Sequence, residues 1–220
     1  MPFTQIVPAL AFALADWVAV ARKNERAEYF FKPVVMGALL VAAPVIGSDA
    51  PGRQLWFIMA ALVFSLLGDV FLMLPRDFFL QGLGAFLVAH VCYVIALLGP
   101  PGGSPLRLAG PALLIAAMTA VIYLRLFKGM RDKGKTEFAL PVLAYALAIG
   151  AMWFSAASTL DRPDFPRSSA YAAYFGAALF VLSDSIIGHT RFVRSERWGP
   201  IAIMVTYHLG QAALVLSLAR

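Results

Sequence analysis

The stretch FSLLGDVFLML (Phe64–Leu74) is apolar at every position except Ser65 and Asp69. An apolar run of this kind, extended toward its N-terminal side, predicts a helix that crosses a membrane. A lone carboxylate in hydrocarbon costs about 3 kcal/mol even on the milder insertion scales. Asp69 therefore needs a partner on another helix, a water-filled cavity or a chemical task.

The composition of the whole chain extends this conclusion. Of its 220 residues, 61% are hydrophobic and 14% are charged, whereas about a quarter of the residues of a soluble domain are charged. Since one spanning helix takes about 20 residues, this length holds about eight. We predict an all-α, polytopic membrane protein in which residues 1–220 form a single eight-helix transmembrane bundle.

The borders of the apolar runs are marked by charged residues, Pro and Gly. They predict spans at residues 3–21, 33–47, 54–74, 78–98, 108–127, 141–159, 170–188 and 200–219. Within the first run, Ala13-Leu14-Ala15 imitates a cleavage site after an apolar stretch, but no Lys or Arg precedes Arg22. We interpret it as a span because a signal peptide begins with a positive region.

The basic residues lie in short connections between the spans. Thirteen of the 18 Lys and Arg residues fall in, or at the borders of, the connections after the first, third, fifth and seventh spans. The positive-inside rule predicts both chain termini outside the cytoplasm, in a bacterial inner membrane. This placement explains the net charge of +6 without a nucleic-acid partner. The single cysteine, Cys92, lies in an apolar segment, where a small buried role is expected.

The two halves of the chain resemble each other at two places. Lys-Pro-Val at 32–34 matches Leu-Pro-Val at 140–142, and Leu-Leu-Gly-Asp at 66–69 matches Val-Leu-Ser-Asp at 181–184. This pattern fits a parallel repeat of two four-helix halves, as in some transporters. Chance recurrence of Leu, Val and Pro in apolar sequence is the alternative. In either case Asp69 and Asp184 are expected at the same depth.

Further polar residues accompany the two aspartates inside the spans: His90, Tyr93, Tyr145, Tyr207 and Gln211. Each also has a purely structural interpretation, as a packed tyrosine, a neutral core histidine or an amide that bridges helices. For the aspartates, that interpretation is an interhelical hydrogen bond or an ion pair with Lys32. Asp16 is expected to pair with Arg22 or Lys23 or to lie among headgroups, and His189 is expected to be solvated at a loop edge.

The order of these residues resembles the lysoplasmalogenase family, the YhhN-like membrane proteins. The matching features are Lys32-Pro33, Gly68-Asp69, Gly82 with Phe86, His90 and Tyr93, Tyr145 with Met152, Ser183-Asp184, and Tyr207 with Gln211. The resemblance implies a hydrolase that acts on a lysophospholipid in the membrane without a cofactor. It would cleave the vinyl ether bond of lysoplasmalogens to a fatty aldehyde and a glycerophospho-ethanolamine or -choline.

The residue types suit that reaction. A vinyl ether hydrolyses when its β-carbon is protonated, because the resulting oxocarbenium ion is captured by water. Glycosidases handle a similar ion with two carboxyl groups. We therefore predict that Asp69 and Asp184 form a catalytic dyad that shares a proton. The predicted orienting and substrate-binding residues are His90, Tyr93, Tyr145, Tyr207, Gln211 and Lys32, the last holding the lipid phosphate.

Other classes of function remain open at this stage. A metal-dependent hydrolase would use His90, His189 and His208 with an aspartate, although no His pair has helical ligand spacing. Gly68-Asp69 alone is weak support for an intramembrane aspartyl protease. A proton-coupled transporter or lipid-binding protein would use the carboxylates as proton or cation sites. Oligomeric state and headgroup preference are not encoded in any recognisable motif.

Overall fold

The computed structural model describes residues 2–99 and 105–220, and these residues form a helical bundle without strands. All eight helices are long and apolar enough to cross a membrane, which confirms the predicted architecture. The helices are α1 (Pro2–Ala21), α2 (Glu25–Ile46), α3 (Gly52–Met73), α4 (Phe79–Leu97), α5 (Pro105–Asp132), α6 (Ala139–Ser158), α7 (Arg167–Phe192) and α8 (Gly199–Leu216).

The second helix begins eight residues before its predicted start at residue 33. Asn24 caps it, since its side-chain oxygen accepts a hydrogen bond of 3.2 Å from the backbone N–H of Ala27. Glu25 and Glu28 occupy the first turn, where negative charge is favourable next to the helix dipole. Lys32 therefore lies within the helix and not at the entrance to a span, which corrects the predicted placement.

The seventh helix is also longer than expected. It continues to Phe192 instead of ending at residue 188. His189, predicted at a solvated loop edge, is consequently a half-buried residue of this helix. Asp184 lies eight residues before the end of α7 and not four. The helix continues because the segment after Asp184 lacks Pro, and its only Gly, Gly188, packs against Leu126 of α5.

Two helical hairpins, α3–α4 and α7–α8, form the tightest contacts of the bundle. In the second, Gly176 faces Gly210 so closely that a Cβ on Gly176 would lie 2.9 Å from the Gly210 carbonyl oxygen. Small residues at such crossings let helix backbones approach in membranes, where packing replaces the hydrophobic effect. In the first hairpin, Gly68 accommodates the ring of Phe86. Asp69 follows Gly68 directly, and Asp184 lies about two turns beyond Gly176 on α7.

The ends of the helices divide into two groups. Phe79 at the start of α4, Phe138 before α6 and Phe192 at the end of α7 form one aromatic cluster, with ring centroids 5.6 to 5.8 Å apart. At the other end, Arg162 donates a 2.9 Å hydrogen bond to the Leu97 carbonyl, and Arg53 donates to the Leu98 carbonyl. We call the end with the phenylalanine cluster the basic end, because the arginine-rich connections lie there.

Candidate active site

The aspartate of the opening stretch, Asp69, has partners on two other helices. Its Oδ1 lies 3.3 Å from the Nζ of Lys32 on α2. Its Oδ2 accepts a 2.6 Å hydrogen bond from the Tyr207 hydroxyl on α8. All three side chains are buried inside the bundle. Asp69 is therefore accommodated in the membrane by a buried ion pair, which is the alternative that the sequence left open.

The second aspartate, Asp184 on α7, belongs to a separate cluster. It accepts a hydrogen bond from the Tyr145 hydroxyl on α6, and its Oδ2 lies 3.3 Å from Nε2 of His90 on α4. The same imidazole nitrogen is 2.9 Å from the Tyr145 oxygen. His90 Nδ1 faces the sulfur of Met152 at 3.3 Å. Hydroxyl, imidazole and carboxyl groups in mutual contact form a unit that can pass a proton among its members.

The two clusters are built alike. Each aspartate is contacted by one residue of the helix before its own, Lys32 for Asp69 and Tyr145 for Asp184. Each is also contacted by a residue of the last helix of the other half, Tyr207 or His90. This correspondence agrees with the parallel repeat suggested by the sequence, which stays a prediction.

The ring of Phe180 lies between the two clusters. The ring of Phe180 lies 4.8 Å from that of His90 and 5.4 Å from that of Tyr207, centroid to centroid. Asp184 is close enough to Asp69 for the two carboxylates to interact electrostatically. Each carboxylate is nevertheless hydrogen-bonded to different residues. A proton shared directly between the two aspartates stays a prediction.

The remaining predicted residues lie beside these clusters. The Tyr93 hydroxyl donates to Oε1 of Gln211, joining α4 to α8. Gln211 in turn lies next to the Tyr207 hydroxyl. The structure thus brings all eight predicted site residues, from six different helices, into these two neighbouring clusters. Lys32 is the one whose predicted task conflicts with its position, because its buried ammonium faces Asp69 and not a lipid surface.

Asp16 and His208 form a further buried polar pair that the sequence did not predict. Asp16 is fully buried, 4.0 Å from Nδ1 of His208, so the predicted pairing with Arg22 or Lys23 is wrong. Within the described structure, neither oxygen of Asp16 has a hydrogen-bond partner. His208 Nδ1 accepts a 3.1 Å hydrogen bond from the Trp17 indole. The sequence did not indicate His208 as the neighbour of Asp16, because the two residues lie on the first and last helices.

The candidate metal ligands are dispersed. His90, His189 and His208 lie on α4, α7 and α8, and among residues 4–99 and 107–220 no three His, Cys, Asp or Glu side chains converge as a ligand group. His90 and His208 instead bond to tyrosine and tryptophan, as described above. Cys92 is free and buried, as expected.

An apolar cavity of about 50 Å³ reaches the Asp184 cluster. Asp184 and Tyr145 are its polar residues, and its walls include Leu72, Phe79 and Phe86. The Asp184 side chain retains 8% of its exposure, against 2% for Asp69. Of the two aspartates, Asp184 is therefore the one that lines this cavity.

A second, more polar pocket of about 300 Å³ opens at the basic end. Its charged residues are Arg76, Asp77 and Arg191, and it shares Leu72 and Phe79 with the inner cavity. Arg191 donates to Asp77, and this hydrogen bond holds the pKa of the Asp77 carboxyl below its usual range. In the sequence these arginines indicated only topology, because nothing local links residue 76 to residue 191.

Fold and site together define a multi-pass helical membrane protein with a buried cluster of carboxyl, imidazole and hydroxyl groups beside an apolar cavity. The model of the YhhN family matches residues 27–218. The chain therefore belongs to the YhhN family.

Named relatives cover most of the chain. It is 32% identical to mouse "Lysoplasmalogenase TMEM86B" over 204 residues, which is 86% of this chain and 78% of the relative. It is 32% identical to a protein of Mycobacterium bovis named "Lysoplasmalogenase", covering 79% of this chain and 62% of the relative. An "Uncharacterized membrane protein YhhN" of Escherichia coli is 26% identical over 95% of this chain and 97% of its own length. No solved structure matches the chain.

Proposed function

We propose that this protein hydrolyses the vinyl ether bond of lysoplasmalogens in the membrane. The products would be a fatty aldehyde and a glycerophospho-ethanolamine or -choline. The names of the mouse and mycobacterial relatives support this reaction. The observation that carries it in the structure is the Asp184, Tyr145 and His90 cluster at the end of an apolar cavity.

Asp184 acts as the acid in this proposal. Its carboxyl proton passes to the β-carbon of the vinyl ether, and the carbon next to the ether oxygen becomes an oxocarbenium ion. Water adds to that carbon and returns a proton to Asp184. The hemiacetal then collapses, with its hydroxyl proton leaving through the cluster and the glycerol oxygen gaining a proton. One water is consumed, and the aldehyde and the alcohol are released.

Asp69 supplies the second carboxylate. Its ion pair with Lys32 and its hydrogen bond from Tyr207 favour a fixed negative charge. Such a preorganised charge stabilises the cationic intermediate across Phe180 without a rearrangement at the moment of reaction. His90 and Tyr145 orient the proton on Asp184, while the hydrogen bond from Tyr93 to Gln211 fixes α4 against α8 beside Tyr207. The basic end faces the cytoplasm in this proposal, since the positive-inside rule places the arginine-rich connections there.

The test is aldehyde release by purified protein in detergent. Three lipids are compared: a lysoplasmalogen, its saturated-ether analogue and an ester lysophospholipid. Release is expected from the vinyl ether alone and should fall about 10²- to 10⁴-fold in Asp184→Asn. Asp69→Asn should also lose most activity. Asp132→Asn is the matched control, because Asp132 is an exposed carboxylate paired with Lys128 at the end of α5. Folded aspartate variants with wild-type rates would refute the mechanism.

A transporter is the second candidate, favoured by the matching contacts of the two aspartates. It predicts solute uptake into proteoliposomes that depends on a proton gradient, with the lipids unchanged. Uptake without aldehyde release by the same preparation would replace the hydrolase proposal.

A further inference from the structure

The pocket at the basic end, which we call the arginine pocket, has the features of an anion site. It lies between the α3–α4 connection and the end of α7, and its charged residues are Arg76, Asp77 and Arg191. Its volume of about 300 Å³ is at the lower end of the range for small-molecule sites. Two guanidinium groups face one carboxylate there, so the pocket carries a net positive charge.

The guanidinium of Arg191 is held in place by Phe79, Phe138 and Asp77. Its guanidinium carbon lies 4.7 Å from the ring centroid of Phe79 and 6.0 Å from that of Phe138. One end of the guanidinium donates to Asp77, while the buried Nε has no hydrogen-bond partner within the described chain. A guanidinium stacked in this way loses little freedom when it binds a phosphate in a two-pronged hydrogen bond.

Arg76 adds a second positive charge that is not neutralised. It is exposed on the α3–α4 connection, and among the residues that the structure describes it forms no ion pair. Lys32, by contrast, is buried and paired with Asp69. The arginine pocket is therefore a better candidate than Lys32 for binding the lipid phosphate.

The arginine pocket adjoins the cavity of the Asp184 cluster. Leu72 and Phe79 line both the arginine pocket and the inner cavity that ends at Asp184 and Tyr145. Arg191 and Asp184 are seven residues apart on one face of α7, a rise of about 10 Å, with Gly188 between them. In a lysophospholipid, the glycerol backbone separates the phosphate from the vinyl ether. The arginine pocket and the Asp184 cluster are thus separated along α7, as the phosphate and the vinyl ether are separated along the substrate.

We propose that the arginine pocket binds the phosphate of the substrate, with Arg191 and Arg76 as its ligands. This inference rests on the proposed function, and it assigns the phosphate ester of a lysolipid as the bound group. Free inorganic phosphate shares the same chemistry and is separated from the lipid by the experiment. Asp77 competes with the phosphate for Arg191, so removing its charge should strengthen binding.

The experiment compares a substrate that carries a phosphate with one that lacks it. Purified protein is given a lysoplasmalogen and, separately, the corresponding 1-alkenylglycerol, which lacks phosphate and headgroup. We expect Arg191→Gln and Arg76→Gln to raise KM for the lysoplasmalogen about tenfold or more and to leave KM for the alkenylglycerol unchanged. Asp77→Asn should lower KM for the lysoplasmalogen only. Arg194→Gln is the matched control, since Arg194 is exposed and pairs with Glu196 outside the pocket.

Equal effects of Arg191→Gln and Arg76→Gln on both substrates would overturn the proposal. Arg76→Gln is expected to fold like the wild type, because Arg76 is exposed and unpaired in the described structure. A changed KM in this variant is therefore not explained by misfolding. Competitive inhibition by glycerophosphoethanolamine that weakens in Arg191→Gln supports the lipid as the source of the phosphate. Inhibition by inorganic phosphate alone, with no discrimination between the two substrates, would overturn that assignment.

A binding measurement separates this inference from the proposed function. Lysophosphatidylethanolamine should raise the thermal unfolding midpoint of the wild-type protein more than that of Arg191→Gln or Arg76→Gln. If wild-type protein releases no aldehyde but shows this difference, the hydrolase proposal fails and the phosphate site stands. If aldehyde is released and the variants are stabilised like the wild type, the phosphate site fails alone.

Discussion

The ion pair between Lys32 and Asp69 gives the sharpest prediction about stability. The two charged atoms are 3.3 Å apart, and the side chains are only 6% and 2% exposed. At an effective dielectric constant of about 20 their attraction is about 5 kcal/mol. Lys32→Met removes the cation and leaves a buried carboxylate with only Tyr207 as partner, a change that costs about 3 to 5 kcal/mol.

The assay is thermal unfolding in detergent, followed by tryptophan fluorescence. For a chain of this length the expected loss lowers the unfolding midpoint by about 6 to 20 °C. Lys32→Met combined with Asp69→Asn should recover much of it, because the uncompensated charge is gone. Lys128→Met is the control, since Lys128 forms an exposed pair with Asp132 worth only about 0.3 to 0.5 kcal/mol.

Two results would refute the reasoning. A midpoint for Lys32→Met equal to that of Lys128→Met would mean that the buried pair does not hold the bundle together. Lys32→Met could also unfold at the wild-type temperature and raise KM only for substrates that carry phosphate. Lys32 would then have the lipid-binding role predicted from the sequence. The second result would also weaken the case for the arginine pocket.

Two further substitutions test the packing and the unpaired carboxylate. Gly68→Ala places a Cβ 2.5 Å from the Phe86 ring, so we expect a loss of about 1 to 3 kcal/mol in thermal unfolding; Gly84→Ala, with open space around it, should gain about 0.5 to 1 kcal/mol. Asp16→Asn should change stability by less than about 1 kcal/mol and retain aldehyde release, because its oxygens have no hydrogen bonds to lose. A loss of activity as large as that of Asp69→Asn would contradict this view of Asp16.

The helical bundle and the importance of the two aspartates could be predicted from the sequence. Spanning helices are encoded locally, since about 20 consecutive apolar residues suffice to predict each one. A carboxylate within such a run is costly wherever the helix packs, so Asp69 and Asp184 could be selected without knowing their neighbours. The resemblance then placed His90, Tyr145 and Tyr207 in the same site, although it named no contact between them.

Helix boundaries were less accessible. The start of α2 at Glu25 depends on the Asn24 cap and on a first turn outside the apolar run. A hydropathy pattern reports where hydrocarbon begins and not where hydrogen bonding of the helix begins. Lys32 was consequently placed at a membrane surface, when it is a buried residue on the inner face of α2.

The choice of partners was decided by tertiary structure alone. Asp69 could have paired with Asp184, Lys32 or water, and only the packing of α2, α3 and α8 selects Lys32 and Tyr207. The arginine pocket likewise joins residues 76 and 191, which meet because the α3–α4 connection folds against the end of α7. Composition determines that a helix enters the membrane, but the rotation of each helix about its axis follows from side-chain packing against its neighbours. That rotation decides which polar groups meet, and with them the site.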